Sequence, residues 1–347
     1  MNQRIEKLKD KLPPLGGCYI TSRHNVRYFS GFTGEGSLVI MQKHCLLMTD
    51  FRYVTQAKQT APDFLICDRR EGLQTLRESG IAELLFEGEN VCYLDYARLQ
   101  EELPNIELTA ADDMLNAMRM VKDEKELMCI ATASEIAQEA LTRLLPMLRP
   151  GTTERQAAAE FDYTIRKLGA SGPSFETIVA SGPNSAMPHA VVSDREMQAG
   201  DLVTIDCGCI YEGYCSDMTR TFAIGHVSAR QKEIYALVLR AQREALRRIG
   251  AGAVCSQIDA ASRSIIDAAG YGKQFGHALG HGVGLQIHEE PRLSARCDLA
   301  LCDNMVVTVE PGVYLANDFG VRIEDLVVVK GENVQNLVQF EKELMIL

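Results

Sequence analysis

Two distant six-residue segments of this chain repeat one pattern, Val203-Thr204-Ile205-Asp206-Cys207-Gly208 and Val307-Thr308-Val309-Glu310-Pro311-Gly312. In each an acid follows an apolar run, over 202–205 in the first copy and 305–309 in the second. A carboxylate taken out of water alone costs several kcal/mol, so such an acid must be paired or must hold a cation. A second acid follows each segment, Asp217 and Glu324. Turns at Tyr211-Glu212-Gly213-Tyr214 and Asn317-Asp318-Phe319-Gly320 fold these acids back beside the first pair as hairpins. Four carboxylates then meet at the centre of a sheet, which is stable only with counter-cations; two divalent ions balance four acids. For any one of them alone, an ordinary acid exposed on alternate strand positions would be the better reading. Four in matched apolar contexts favour convergence.

The repeat extends upstream. A helical pattern over 123–148 stops at Pro150-Gly151, and Thr153 with Gln156 caps a second helix that reaches Leu168. The same order returns as a helix over 231–249, a stop at 250–252, and a helix over 256–269 opened by Ser256 with Asp259. Each half reads helix-helix-strand-strand, and the two halves face each other across a pseudo-two-fold. Residues 1–121 differ in texture. Expected strands over 18–21, 37–41, 45–48 and 64–67 alternate with expected helices over 4–12, 53–59 and 73–78, which is the pattern of an α/β layered domain. No Gly-rich phosphate loop follows a strand there, so the domain shapes or covers a site that lies elsewhere. A length of 347 residues suits these two domains, 1–121 and 122–347.

The net charge of -11 excludes nucleic acid as a partner, because phosphate binding needs clustered Lys and Arg. No stretch approaches the roughly 18 apolar residues of a membrane span, and residues 1–12 lack the form of a signal peptide. Eleven cysteines are scattered without repeated spacing, which suits free thiols in a reducing, cytoplasmic compartment. Cys207, Cys209 and Cys215 lie close in sequence but have no CxxC partner, and read as small buried hydrophobes.

Three of the seven histidines fall within 275–288, as His277, His281 and His288. The glycines beside His281 let backbone approach a metal or substrate closely, and imidazole joins carboxylates around Zn, Mn, Co or Fe. Gly280-His281-Gly282-Val283-Gly284 leads into a strand-like run, so it is a poor phosphate loop. His288-Glu289-Glu290-Pro291 lacks the second histidine of a zincin helix, and Pro291 would break that helix.

These motifs, with Gly213 through Thr221 and Val321-Arg322-Ile323-Glu324-Asp325, resemble the pita-bread metallopeptidases over essentially the whole chain. The resemblance is closest to the Xaa-Pro aminopeptidase and prolidase branch. It implies an α/β N-terminal domain before an α+β pita-bread catalytic domain. It also implies five ligands to two divalent ions, manganese favoured. Asp206 chelates one ion, Asp217 and Glu324 bridge both, and His281 and Glu310 complete the second. Glu310 then also shuttles a proton, while His189, His277 and His288 hold the substrate and its tetrahedral intermediate. Arg322 orients ligand carboxylates, and Tyr314 reads first as core packing. The implied substrate is a peptide with proline at its second position, and the implied assembly a homodimer. Between the two exopeptidase types the reading leans to aminopeptidase over dipeptidase. Methionine aminopeptidase, a metal-free amidinohydrolase and a non-catalytic binding module rank below both.

Overall fold

The computed structural model describes residues 3–347. The chain divides into two compact units between Met118 and Arg119, three residues before the boundary expected at 121/122. The first unit is built on a mixed six-stranded sheet, in the order Leu65–Cys67, Cys45–Thr49, Gly36–Met41, Gly16–Ile20, Glu83–Phe86, Glu107–Ala110. The four expected strands are its first four members. Its helices include Gln3–Lys9, Val54–Thr60 and Arg69–Glu78 where three were expected. The last begins four residues early, because Asp68 and Glu71 form a capping box that satisfies its first N–H groups. The helices Arg23–Ser30 and Tyr93–Glu102 and the last two strands were not anticipated from periodicity.

In the second unit the duplicated programme is present. The first copy has helices Glu124–Leu144 and Glu154–Lys167, and the second has Ala229–Arg248 and Cys255–Ala268. The Thr153–Gln156 capping box forms as expected. Two helix ends differ from expectation, each for a local reason. The first helix stops at Leu144, where Leu145-Pro146-Met147 turns into 3-10 geometry, so Pro146 rather than Pro150 is the breaker. The helix at Cys255 has no side-chain cap; Asp259 instead accepts from Arg263 and from the N–H of Leu279.

Each copy ends in a long antiparallel hairpin whose ladder is interrupted once and then resumes in the same register. Leu202–Cys207 pairs with Met218–Ala223, Cys207 opposite Met218, and beyond the break Ile210 lies opposite Cys215. Val306–Val309 pairs with Asp325–Lys330, Val309 opposite Asp325, and beyond the break Gly312 lies opposite Arg322. Glu212 and Gly213, both with positive φ, make the tight turn of the first hairpin, and Asn317 with positive φ serves the second. In the second hairpin the break itself falls at Glu310 and Glu324. The four acids do not lie at the centre of one sheet, contrary to expectation, because the first hairpin is divided between two three-stranded sheets and the second between a five-stranded and a two-stranded sheet. The hydroxyl of Thr221 accepts from Arg322 N and donates to Arg322 O, tying the two hairpins together. Behind the second hairpin Val307, Val309, Val321 and Ile323 share one apolar core with Ile234, Val238 and Ala245 of the long helix, so burial fixes the face on which the acids project.

Candidate metal centre

Asp206 sits one residue before the end of its strand, and Asp217 one residue before the start of the next. Glu310 and Glu324 occupy the ladder break, where backbone pairing is suspended and side chains can turn inward. His281 lies on the short strand Gly280–Gly282, at an irregularity in its pairing. Its flanking glycines allow close packing of the neighbouring strands, and Gly280 also lines the cavity described below. A Cβ at Gly280 would strike the carbonyl of Thr308, and one at Gly282 that of Glu290.

One carboxylate oxygen each of Asp217 and Glu324 and one ring nitrogen of His281 lie within 4.8 Å of one another, all three side chains buried. His281 Nδ1 is 3.0 Å from Gly282 O, which fixes the proton on that nitrogen. Nε2 is left facing Glu310 Oε1 at 3.3 Å and Asp217 Oδ2 at 3.6 Å. Thr219 donates to Glu324 Oε2 at 2.7 Å, and Thr308 to Glu310 Oε1 at 3.1 Å. Asp206 stands apart from the three: Arg322 Nη2 donates to its Oδ2 at 2.7 Å, while its buried Oδ1 has no hydrogen-bond partner.

The electrostatics of this group are those of an unbalanced acid cluster. Burial first, and then Asp206 and Glu310, push Asp217 well above the ordinary carboxylate range. Burial, and then Asp217, Glu310 and Asp206, do so to Glu324. Burial raises Asp206 too, against the pull of Arg322. Glu310 goes the other way: burial opposes its ionisation, but the hydrogen bond and charge of His281 outweigh it. An orphaned carboxylate oxygen beside acids that resist ionising is what divalent cations relieve, so the donor set fits a metal.

All ten named residues, Asp206, Asp217, His281, Glu310, Glu324, His189, His277, His288, Arg322 and Tyr314, line a single cavity of about 510 Å³. A groove of similar size beside Tyr235 and Arg243 contains neither histidine nor metal-type acid cluster. Tyr314 is not mere packing. Its hydroxyl accepts from Arg322 Nη1 at 2.8 Å and lies 3.0 Å from His277 Nε2. With His277 Nδ1 held 2.8 Å from Ala278 O, Tyr314 links the guanidinium beside Asp206 to a cavity histidine. Burial pushes His277 down, and partial burial with the charge of His281 pushes His288 down to about 4. Both are therefore neutral hydrogen-bonding groups near pH 7.

His189 is carried by a loop, and the loop is held by an acid that sequence reasoning missed. Glu154, fully buried at the start of its helix, accepts from Ser181 N and Oγ, Asn184 Nδ2, and Ser193 N and Oγ. Both ends of the loop thus rest on one carboxylate, and Arg322 Nη1 holds the carbonyl of Pro188 between them at 3.2 Å. Glu154→Ala would strand these buried donors at a cost of roughly 3 kcal/mol. The expected result is a clearly lower urea midpoint, and an unchanged midpoint would rule out this anchoring.

Arg292 and Glu176 also line the cavity unannounced. The alternation of the strand Glu289–Leu293, buried at Glu289, Pro291 and Leu293, was the signal that could have exposed Arg292. The thiols of Cys207, Cys209 and Cys215 are buried, and burial raises the pKa of each, consistent with packing rather than ligation.

The profile of Metallopeptidase family M24 matches residues 128–331, and that of the Creatinase/Prolidase N-terminal domain residues 4–121. The chain belongs to metallopeptidase family M24. The second unit therefore has the pita-bread fold of M24 enzymes, which take divalent metal ions, and the chain is a metallo-exopeptidase. Among solved structures, the Xaa-Pro dipeptidase from Bacillus anthracis is 39% identical with a TM-score of 0.96, covering 99% of each chain. The X-Pro aminopeptidase from Thermotoga maritima MSB8 is 38% identical with a TM-score of 0.91, covering 99% of this chain and 100% of its own. The Xaa-Pro dipeptidase of Pyrococcus horikoshii is 36% identical over 99% of both sequences.

Proposed function

We propose that the chain is an Xaa-Pro dipeptidase that uses two divalent ions, manganese favoured, held by Asp206, Asp217, His281, Glu310 and Glu324. The observation that carries this reading is the convergence of Asp217, His281 and Glu324 within 4.8 Å, in a cavity that also holds the other two ligands and three histidines. Bound divalent ions supply Lewis acidity, polarising the scissile carbonyl and easing deprotonation of water at neutral pH. The chain's own groups do the rest. Glu310, ionised and steadied by Thr308, takes a proton at Oε1 and returns it to the leaving nitrogen. His189 and His288, exposed side chains that line the cavity, donate hydrogen bonds to the developing oxyanion, and His277 is held in place through Tyr314. Arg322 Nη2 donates to Asp206 Oδ2 and so orients that carboxylate and favours its charged form. The prolyl nitrogen carries no hydrogen, so the site needs no acceptor for it.

Dipeptidase replaces the aminopeptidase to which the sequence leaned. Relatives named Xaa-Pro dipeptidase support it, and so does Arg292. This guanidinium reaches the cavity from an exposed position, and among the described residues its ion-pair contact is a long one, 3.9 Å to the exposed Glu290. It is free to take the carboxylate that ends a dipeptide. After manganese loading, Xaa-Pro is expected to be cleaved at least about tenfold faster than Xaa-Pro-Yaa-Yaa or Xaa-Pro-amide, and Arg292→Met to remove most of that preference. Faster cleavage of the longer peptide would restore the aminopeptidase reading.

The proposed domains are 1–121, of creatinase-N type, and 122–347, catalytic. The N-terminal domain and the added histidines speak against methionine aminopeptidase. Eleven free thiols support a reducing, cytoplasmic setting, and no helix among the described residues is long and apolar enough to cross a membrane. The homodimer rests on family resemblance alone.

A further inference from the structure

We propose that Glu176 gives the site a preference for a cationic first residue, lysine or arginine, in the dipeptide; this rests on the Xaa-Pro reading of the cavity. The cavity is polarised. Ile178 pairs with Asp206 across neighbouring strands, so Glu176, two residues upstream, belongs to the Asp206 wall. Arg292 pairs with His281 and belongs to the His281 wall. A dipeptide whose terminal carboxylate meets Arg292, with its scissile bond at the acid cluster, therefore directs its first side chain toward Phe175, Glu176 and Ile178, all of which line the cavity.

The segment that presents Glu176 is fixed at both ends. Ser174 Oγ donates to Ser216 O at 2.8 Å, and Thr177 Oγ1 donates to Asp162 Oδ1 at 2.6 Å. Between these anchors Phe175 and Glu176 reach the cavity. Among the described residues no Lys or Arg forms an ion pair with Glu176, and its side chain is exposed. Phe175 and Ile178 can cover the methylene stem of a lysine or arginine while Glu176 meets the charged head. The acid keeps its hydration shell, so the gain is that of a surface ion pair, roughly three- to fivefold in kcat/KM.

The test compares Lys-Pro, norleucyl-Pro and Glu-Pro on manganese-loaded wild type and Glu176→Gln. Norleucine matches the stem of lysine without its charge, and all three substrates share the α-ammonium, so ratios isolate the side chain. The expected result is a three- to fivefold fall in the Lys-Pro to norleucyl-Pro ratio in the variant, with Glu-Pro improved by a similar factor and both changes shrinking in high salt. An unchanged ratio, or an equal loss on all three substrates, overturns the proposal and leaves the dipeptidase reading standing. If the wild type cleaves none of the three, the dipeptidase reading fails, and this proposal with it.

Discussion

Asp217→Asn is expected to lower kcat/KM by a factor on the order of 10³ or more, and to remove most of the bound metal. The change is nearly isosteric, and Asp217 lies at a break in the ladder and not within a strand, so the fold has little reason to collapse. What is lost is charge where it is needed. As proposed, Asp217 would be one of the carboxylates that hold the metal, so a neutral amide there weakens the site, and the remaining carboxylates cannot balance two divalent ions. Metal content after dialysis, read by elemental analysis beside circular dichroism and the Xaa-Pro assay, decides the matter. An active variant with its full metal complement would refute the assigned site.

The acids were legible because burial of charge leaves a mark in the sequence. Asp206 and Glu310 follow apolar runs in duplicate, and the turn chemistry at Gly213 and Asn317 says where the chain must fold back. Helix caps that depend on residues three positions apart, such as Thr153 with Gln156, were legible because the pairing is local in sequence. Partners brought together by tertiary structure were not. Asp206 and Arg322 are 116 positions apart, and no local pattern says that a guanidinium meets that carboxylate, or that the Tyr314 hydroxyl joins it to His277. Thr308 shows the limit of the repeat itself. Its counterpart Thr204 bonds across its own ladder to Thr221, whereas Thr308 bonds to Glu310. Equal positions in the two copies have different neighbours, because the copies lie in different sheets. Ser256 and Asp259 match a capping pattern, yet Asp259 is captured by Arg263 and Leu279 N, a competition that periodicity cannot register.

Stripping the metal should destabilise the protein, and the loss should grow as pH rises. In the metal-free protein Asp217, Glu324 and Asp206 hold their protons above the range in which an unfolded chain releases them, burial being the main cause. Groups with raised native pKa values contribute their stability fully below the unfolded pKa, near 4 for carboxyls. That contribution is lost as pH rises through the folded values, because the native state then binds more protons than the unfolded one. Metal acts in the opposite sense: the ligands must be deprotonated to bind it, so its contribution rises with pH. At free metal about a thousandfold above Kd the stabilisation is about 4 kcal/mol, which for a unit of this size moves Tm by on the order of 10 °C. Melting scans with manganese and with chelator are expected to differ by about that much at pH 7.5 and to converge toward pH 5. Asp217→Asn supplies the internal control, since it removes one mutually repelling carboxylate. Chelated variant should melt above chelated wild type at pH 7.5, although it is the form that cannot work. A gap that narrows as pH rises, or a variant no more stable than wild type without metal, would mean that these acids are not held in enforced proximity.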